Sequence, residues 1–148
     1  MKMQNTTRSI RVVAMDLLSR REHSATELTR KLQQRDFDID AIEAALKVLQ
    51  QDNLQSDSRF IESVVNYRIN AGFGPLKIKH ELRQKGIDVE RVEDYLSGLT
   101  VEWQPLMEAQ RSKKFGPDIP PDYKEKMKQA RFLQNRGFSP ESVMRLFR

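Results

Sequence analysis

The chain has 148 residues, 38% hydrophobic and 32% charged, with a formal net charge of +5, a pI near 9.6 and no cysteine. Apolar content below the globular norm and charge above it predict small cores under a well-solvated surface, and the missing cysteines exclude disulfides, thiol catalysis and thiolate zinc sites, in keeping with a reducing compartment. Residues 1–11 lack the apolar run of a secretory signal, and no stretch approaches the ~20 apolar residues of a membrane span, so a soluble, cytoplasmic, monomeric protein is expected.

Glycine is scarce, and apolar residues recur at three- and four-residue spacing almost throughout, the mark of amphipathic helices. A first helix is predicted from about Thr7 to Arg21, with Ile10, Val13, Ala14, Leu17 and Leu18 as its buried stripe. Ser24-Ala25-Thr26-Glu27 is a capping box, in which Ser24 and Glu27 can each satisfy an unpaired amide at the start of the second helix. Leu28 and Leu32 form that helix's buried edge, and Asp38 opens a third carrying Ile42, Leu46 and Leu49.

The next stretch reads the same way. Asp57 is expected to cap a helix carrying Phe60, Ile61, Val64, Val65 and Tyr67. Gly74-Pro75 starts another, with proline in the first turn, where its missing N–H is harmless. Gly86 ends it, because glycine accepts the left-handed conformation of a helix C-terminus. Asp88 then opens the helix of Val92, Tyr95 and Leu96. Further on, a helix from about Trp103 to Lys114 runs into Gly116-Pro117-Asp118-Ile119-Pro120-Pro121, a stiff linker that cannot continue a helix. Asp122 restarts the chain as helix, Gly137 ends that helix, and Ser139-Pro140 opens the last, with Val143 and Phe147 on its apolar side.

The stretches are repeats. Leu28, Leu32, Phe37, Ile42 and Leu46 recur fifty residues on as Ile78, Leu82, Ile87, Val92 and Leu96, and fifty-one further as Gln129, Leu133, Phe138, Val143 and Phe147. The caps Asp38, Asp88 and Ser139 keep the same offsets. Two independent patterns with one period define a repeat protein. A lone unit of this size buries too little surface to be stable by itself, so neighbouring units should pack together. The expected fold is all-α: three tandem three-helix repeats, at 1–55, 56–101 and 102–148, forming an elongated, curved molecule, with a Pro-rich insertion near 116–121. Phe73-Gly74-Pro75 echoes as Phe115-Gly116-Pro117 and marks where the insertion enters. The position of Gly86 and Gly137 is Asp36 in the first repeat. Aspartate tolerates the left-handed region less well, so a slightly different helix end is expected there.

No catalytic constellation is visible. His23 and His80 lie in different repeats without the companion ligands of a metal site, and no phosphate loop or nucleophile elbow occurs. Neither a cofactor nor a metal is expected, and the chain reads as a non-enzyme. The basic side chains are the candidates for function. Residues 101–148 hold 10 basic and 6 acidic residues against 7 and 8 in 51–100, and such an excess favours polyanionic partners. Arg20, Arg21, Arg68, Lys77, Arg111, Lys113, Lys114, Lys124, Lys126 and Arg131 are the candidate contacts. Arg68 is expected on the exposed side of its helix, and Arg111, Lys113 and Lys114 are read as one surface cluster before the prolines.

Arg20-Arg21 with Ser24-x-x-Glu27-Leu28-x-x-Lys31-Leu32, Asp57-x-x-Phe60, Gly74-Pro75-x-x-Ile78-x-x-Glu81-Leu82, Gly86-Ile87, Lys113-Lys114-Phe115-Gly116 and Arg131-Phe132-Leu133-x-x-Arg136-Gly137-Phe138 together resemble the RecX family of bacterial recombination regulators. The resemblance runs from about residue 10 to 148, with Asp36 as a departure where the family usually has glycine. It implies three tandem three-helix units that bind the RecA filament on DNA within its groove. It also implies inhibition of RecA ATPase, strand exchange and coprotease activity, and hence modulation of DNA repair and the SOS response. Weak contact with single- or double-stranded DNA is compatible with the charge. The alternative is a basic tri-helical protein acting on DNA directly. It fits less well, because the helices opened by Asp38 and Asp88 carry Asp40 and Glu43, and Glu90, Glu93 and Asp94, which would repel phosphate.

Overall fold

The computed structural model describes residues 6–148, with side chains from Ile10 onward. The expectation about residues 1–11 falls partly on residues 1–5, outside the described residues. Among the described residues there are nine α-helices and no strand: α1 (Thr6–Arg20), α2 (Ala25–Gln34), α3 (Ile39–Gln51), α4 (Asp57–Asn70), α5 (Pro75–Gln84), α6 (Val89–Ser97), α7 (Trp103–Phe115), α8 (Tyr123–Asn135) and α9 (Pro140–Leu146). The helical period read from the sequence thus holds along the chain. No helix among the described residues is long and apolar enough to cross a membrane.

The chain forms two compact units, Met1–Ser63 with Gln84–Ile87, and Val64–Arg83 with Asp88–Arg148. In the first, α1 packs on α2 and α3. Its core is Ile10, Ala14, Leu17, Leu28, Leu32, Ile42, Ala45 and Leu49, with Leu18, Phe37 and Leu46 at its margin. In the second, α7 packs on α8 and α9 around Met107, Ala130, Leu133, Phe138, Val143 and Phe147. Ile78, Leu82, Ile87, Val92 and Leu96 are also buried, so the repeated skeleton is buried apart from Phe37 and Leu46, which are half-buried.

Gln129 occupies a slot that is Leu28 and Ile78 in the other repeats, and Arg111 explains it. Arg111 is 1% exposed. Its Nη2 donates to the Pro117 carbonyl at 2.9 Å, and its Nη1 to the Asp118 carbonyl and to Gln129 Oε1, both at 3.3 Å. Linker carbonyls have no helical partner and must find a donor when they turn inward. Arg111 supplies it, the buried glutamine oxygen takes a further bond, and the buried Arg111 Nε has no partner among the described residues. The inserted residues are therefore not all linker, since α8 begins at Tyr123, three residues before the position equivalent to Pro75. Asp122 caps it as expected, its Oδ2 accepting from Glu125 N at 3.1 Å.

Several local expectations are corrected. Asp57 is the first residue of α4, and Ser56 is the cap, its Oγ accepting from Arg59 N at 3.2 Å. Asp57 Oδ1 instead accepts from Ala25 N at 2.8 Å and Gln55 Nε2 at 3.0 Å. Asp88 stands at the cap of α6 without a side-chain hydrogen bond to it. The capping box is half formed. Ser24 Oγ accepts from Glu27 N at 3.0 Å, but the Glu27 carboxylate is held elsewhere.

The helix end at Asp36 is not different. Asp36 has φ 66°, in the same left-handed region as Gly86 at 82° and Gly137 at 99°. Phe37 N bonds Leu32 O and Asp36 N bonds Gln33 O, the pattern that Phe138 and Gly137 repeat with Leu133 and Gln134. What differs is the surroundings. A Cβ on Gly86 would lie 2.1 Å from Thr26 Oγ1, and one on Gly137 would lie 2.5 Å from Lys77 Cβ and 2.6 Å from Lys77 N. Each glycine is pressed against the start of the second helix of the preceding repeat. Asp36 is exposed, so a side chain fits.

Candidate partner-binding surface

These close approaches define two junctions, each inside one compact unit. In the first unit, the start of α2 meets Gln84–Ile87. Ser24 Oγ donates to the Lys85 carbonyl at 2.7 Å, and Arg30 Nη1 to the Gln84 carbonyl at 2.9 Å. Glu27, 4% exposed, receives the Arg21 guanidinium through both carboxylate oxygens and Lys85 Nζ at 3.0 Å. Burial alone would raise the Glu27 carboxyl, but the hydrogen bonds and charges of Arg21 and Lys85 outweigh it and hold the group down to about 2. His23, also buried, lies 3.0 Å from the Arg21 carbonyl through Nδ1 and 3.1 Å from Lys31 Nζ through Nε2. Burial lowers its pKa, and the hydrogen bond to the Arg21 carbonyl only partly offsets that. A neutral ring that donates through Nδ1 and accepts through Nε2 satisfies both contacts.

In the second unit, the start of α5 meets the end of α8. Gly74 N donates to the Arg136 carbonyl at 2.8 Å and Leu76 N to the Gly137 carbonyl at 2.9 Å. Free amides of one helix start thus meet free carbonyls of another helix end, the favourable alignment of their dipoles. Aromatic rings and cations fill the surroundings. The Arg136 guanidinium lies 4.8 Å from the Phe73 centroid and 5.3 Å from that of Phe132. Lys77 Nζ is 5.3 Å from Phe73 and Lys114 Nζ 5.5 Å from Phe132. Phe115 meets Phe132 edge to face at 5.4 Å. A cleft of about 230 Å³ opens here, lined by Ala71, Gln110, Lys113, Lys114, Phe132 and Arg136.

The ten sequence candidates fall into distinct groups. Arg20 pairs with Asp16 one turn away, and Arg21 is committed to Glu27. Arg68 is half-buried rather than exposed, because Glu81 takes its Nε at 2.7 Å and its Nη2 at 3.2 Å. Lys77 donates to the Asn135 carbonyl at 3.2 Å. Arg111 is corrected outright: it is interior, so replacing it with Lys113 and Lys114 would break a buried network as well as remove two surface charges. Lys113, Lys114, Lys124 and Arg131 are exposed and Lys126 half-buried, and none of the five has a carboxylate partner among the described residues. Sequence reasoning missed Arg136 and Phe73 as parts of a site. The signal was available in the equivalence of Arg136 to Lys85, but it needed the partner across the junction to be known. Among the described residues no group of His, Asp or Glu is arranged to hold a metal ion.

Nine helices among the described residues, grouped as three tandem three-helix domains, make this a helical-repeat protein, and family models place it more closely. Models of the first, second and third three-helix domains of RecX match residues 11–49, 56–96 and 106–147. The chain belongs to the RecX family. It is 44% identical over 142 residues to "Regulatory protein RecX" of Pseudomonas fluorescens (strain SBW25), and equally so to that of Pseudomonas syringae pv. tomato, covering 96% of this chain and 92% of each relative. The fold is shared with a crystal structure of RecX from Lactobacillus salivarius, with a TM-score of 0.78, 23% identity and 98% of both chains covered. A second crystal structure of regulatory protein RecX matches with a TM-score of 0.79 and 26% identity over 97% of this chain and 72% of that one.

Proposed function

We propose that this chain is a cytoplasmic, non-catalytic regulator of the RecA recombinase. It binds the RecA–DNA filament in its groove and restrains RecA ATPase, strand exchange and coprotease activity, and so modulates DNA repair and the SOS response. The observation that carries this reading is the match of all three RecX domains, in order, to a chain 44% identical to proteins named for regulation. The physical argument agrees. Three similar domains, with boundaries near residues 55 and 101, can meet a polymer that itself repeats, and linked contacts strengthen one another through effective concentration. A chain lying across filament subunits hinders their motions without chemistry of its own. The unpaired cations Lys113, Lys114, Lys124, Lys126 and Arg131 supply charge for acidic filament surfaces, with weak contact to DNA phosphates, and both contacts weaken with salt.

The test is titration of the protein into RecA filaments on single-stranded DNA while ATP hydrolysis is followed. Inhibition is expected, fading as salt rises. Full hydrolysis at equimolar protein would overturn the proposal. Tight sequence-specific DNA binding without RecA would point to direct action on DNA instead.

A further inference from the structure

Repeat symmetry relates the two junctions residue by residue, and the comparison exposes a missing group. Lys85, just before Gly86, binds the carboxylate of Glu27. Fifty-one residues on, the equivalent of Lys85 is Arg136, just before Gly137. Fifty residues on, the equivalent of Glu27 is Lys77, and that of Arg21 is Ala71. The first junction thus holds a cation, a carboxylate and a second cation. The second keeps the cation, replaces the carboxylate with another cation, and adds Lys113 and Lys114 from α7. No carboxylate lies within ion-pair distance of Lys77, Lys113, Lys114 or Arg136 among the described residues.

We propose that the cleft formed by Ala71, Gln110, Lys113, Lys114, Phe132 and Arg136 is a receptor for a carboxylate supplied from outside, an Asp or Glu side chain on an acidic segment of a protein partner. Arg136 is built for it. The Phe73 and Phe132 rings flank its guanidinium, and its Nη1 donates to the Ala71 carbonyl at 3.2 Å. A clamped planar fork with donors to spare matches a carboxylate in two-point fashion and loses little freedom on binding. The molecule contains a filled version beside it: Arg68, 5.4 Å from the same Phe73 ring, carries the Glu81 carboxylate through Nε and Nη2. Two observations favour a protein carboxylate over a nucleic-acid strand. Strand-binding sites stack bases on open aromatic faces, whereas Phe132 already carries Lys114, Arg136 and the Phe115 edge. The cleft, at about 230 Å³, is also smaller than the ~300 Å³ at which ligand pockets usually begin.

The site deepens the proposed regulatory role and rests on it for the partner's identity, but its test contains no recombinase, so the two fail separately. A short fluorescein-labelled Asp/Glu-rich peptide and, in a second arm, labelled oligothymidylate are titrated with the full chain, and anisotropy is read. Two variants are compared, Lys77→Glu, which supplies the missing carboxylate from within, and Arg136→Lys, which keeps the charge and removes the fork. Peptide binding is expected to fall about tenfold in each, with oligothymidylate binding changed less and helical content preserved. Arg136→Lys alone carries the test where Lys77→Glu does not fold. Unchanged peptide affinity in folded variants overturns the proposal. So does an equal loss in both arms, which reports general charge, or a loss confined to oligothymidylate, which assigns the cleft to nucleic acid.

Discussion

The two junctions solve one packing problem with opposite chemistry. Both press a C-terminal glycine against the start of a preceding helix. At the first, side chains do the joining: Ser24, Arg30 and a buried carboxylate between two cations. At the second, backbone amides meet backbone carbonyls, and the side chains around them are aromatic and cationic. His23 in one is Phe73 in the other, and Glu27 is Lys77. A contact built from backbone leaves the side chains free to diverge. The junction closed by backbone is also the one with unneutralised charge, and the junction closed by charge has little left for a partner.

The largest effect is expected where the backbone contact is tightest. Gly137→Ala combines a positive φ with a Cβ 2.6 Å from the Lys77 amide nitrogen, which cannot swing away. It should cost about 3–4 kcal/mol in urea denaturation. Gly116→Ala shares the positive φ, with ψ 170° in a region essentially reserved for glycine, but its Cβ would meet nothing within 4 Å, and a smaller cost of about 1–3 kcal/mol, from conformation alone, is expected. Equal costs would mean that conformation alone, and not close approach, selects glycine at 137.

Next comes the charged junction. Glu27→Gln leaves Arg21 and Lys85 facing each other across a buried amide, and about 3 kcal/mol should be lost. Acid should reach the same contact without mutation. Glu27 is held below its ordinary 4.5, at about 2. The unfolded chain therefore takes up its proton first, and the stabilisation is complete above about pH 4.5 and drains away towards 2. His23 is lowered from 6.5, so it adds a loss with the same sign, beginning as pH falls below 6.5. For Glu27 this amounts to about 1–3 kcal/mol once solvent screening is allowed for. Glu27→Gln should flatten the lower part of a stability–pH curve. A curve unchanged by the substitution would place the acid sensitivity elsewhere.

The difference between the junctions also marks how far the sequence could be read. The helices, their apolar faces and the repeat were legible because burial imposes a period on every turn, and the equivalent Leu32, Leu82 and Leu133, all buried, show it directly. Arg111 was not legible. Its position before a basic run looks like surface, and only the carbonyls of Pro117 and Asp118, turned inward by the linker, give it a place in the interior. Glu27 was misassigned for a related reason: the capping box is a local pattern, while its carboxylate is shared between Arg21 and Lys85, and Lys85 lies 58 residues away. Local patterns predict elements, but partners across a junction depend on which faces the fold brings together. The site at Arg136 becomes readable only when one junction is laid over the other.

The smallest effect concerns Asp36, and it tests whether the first repeat is free of the constraint on the other two. Asp36 holds φ 66° with an exposed side chain. It pays the left-handed penalty without any neighbour to exclude a Cβ. Asp36→Gly should therefore raise stability, by about 1 kcal/mol less the greater freedom glycine gives the unfolded chain. Asp36→Ala should cost little or lose a few tenths, because the Cβ is already accommodated and only aspartate's tolerance of the region is lost. The contrast with Gly137→Ala is what matters. A repeat end pressed against another helix start rejects any side chain, and an exposed one accepts it at a cost in conformation alone. If Asp36→Ala proved as damaging as Gly137→Ala, the shared left-handed turn would be the controlling feature, and packing against the preceding repeat would not explain why glycine is retained at 86 and 137.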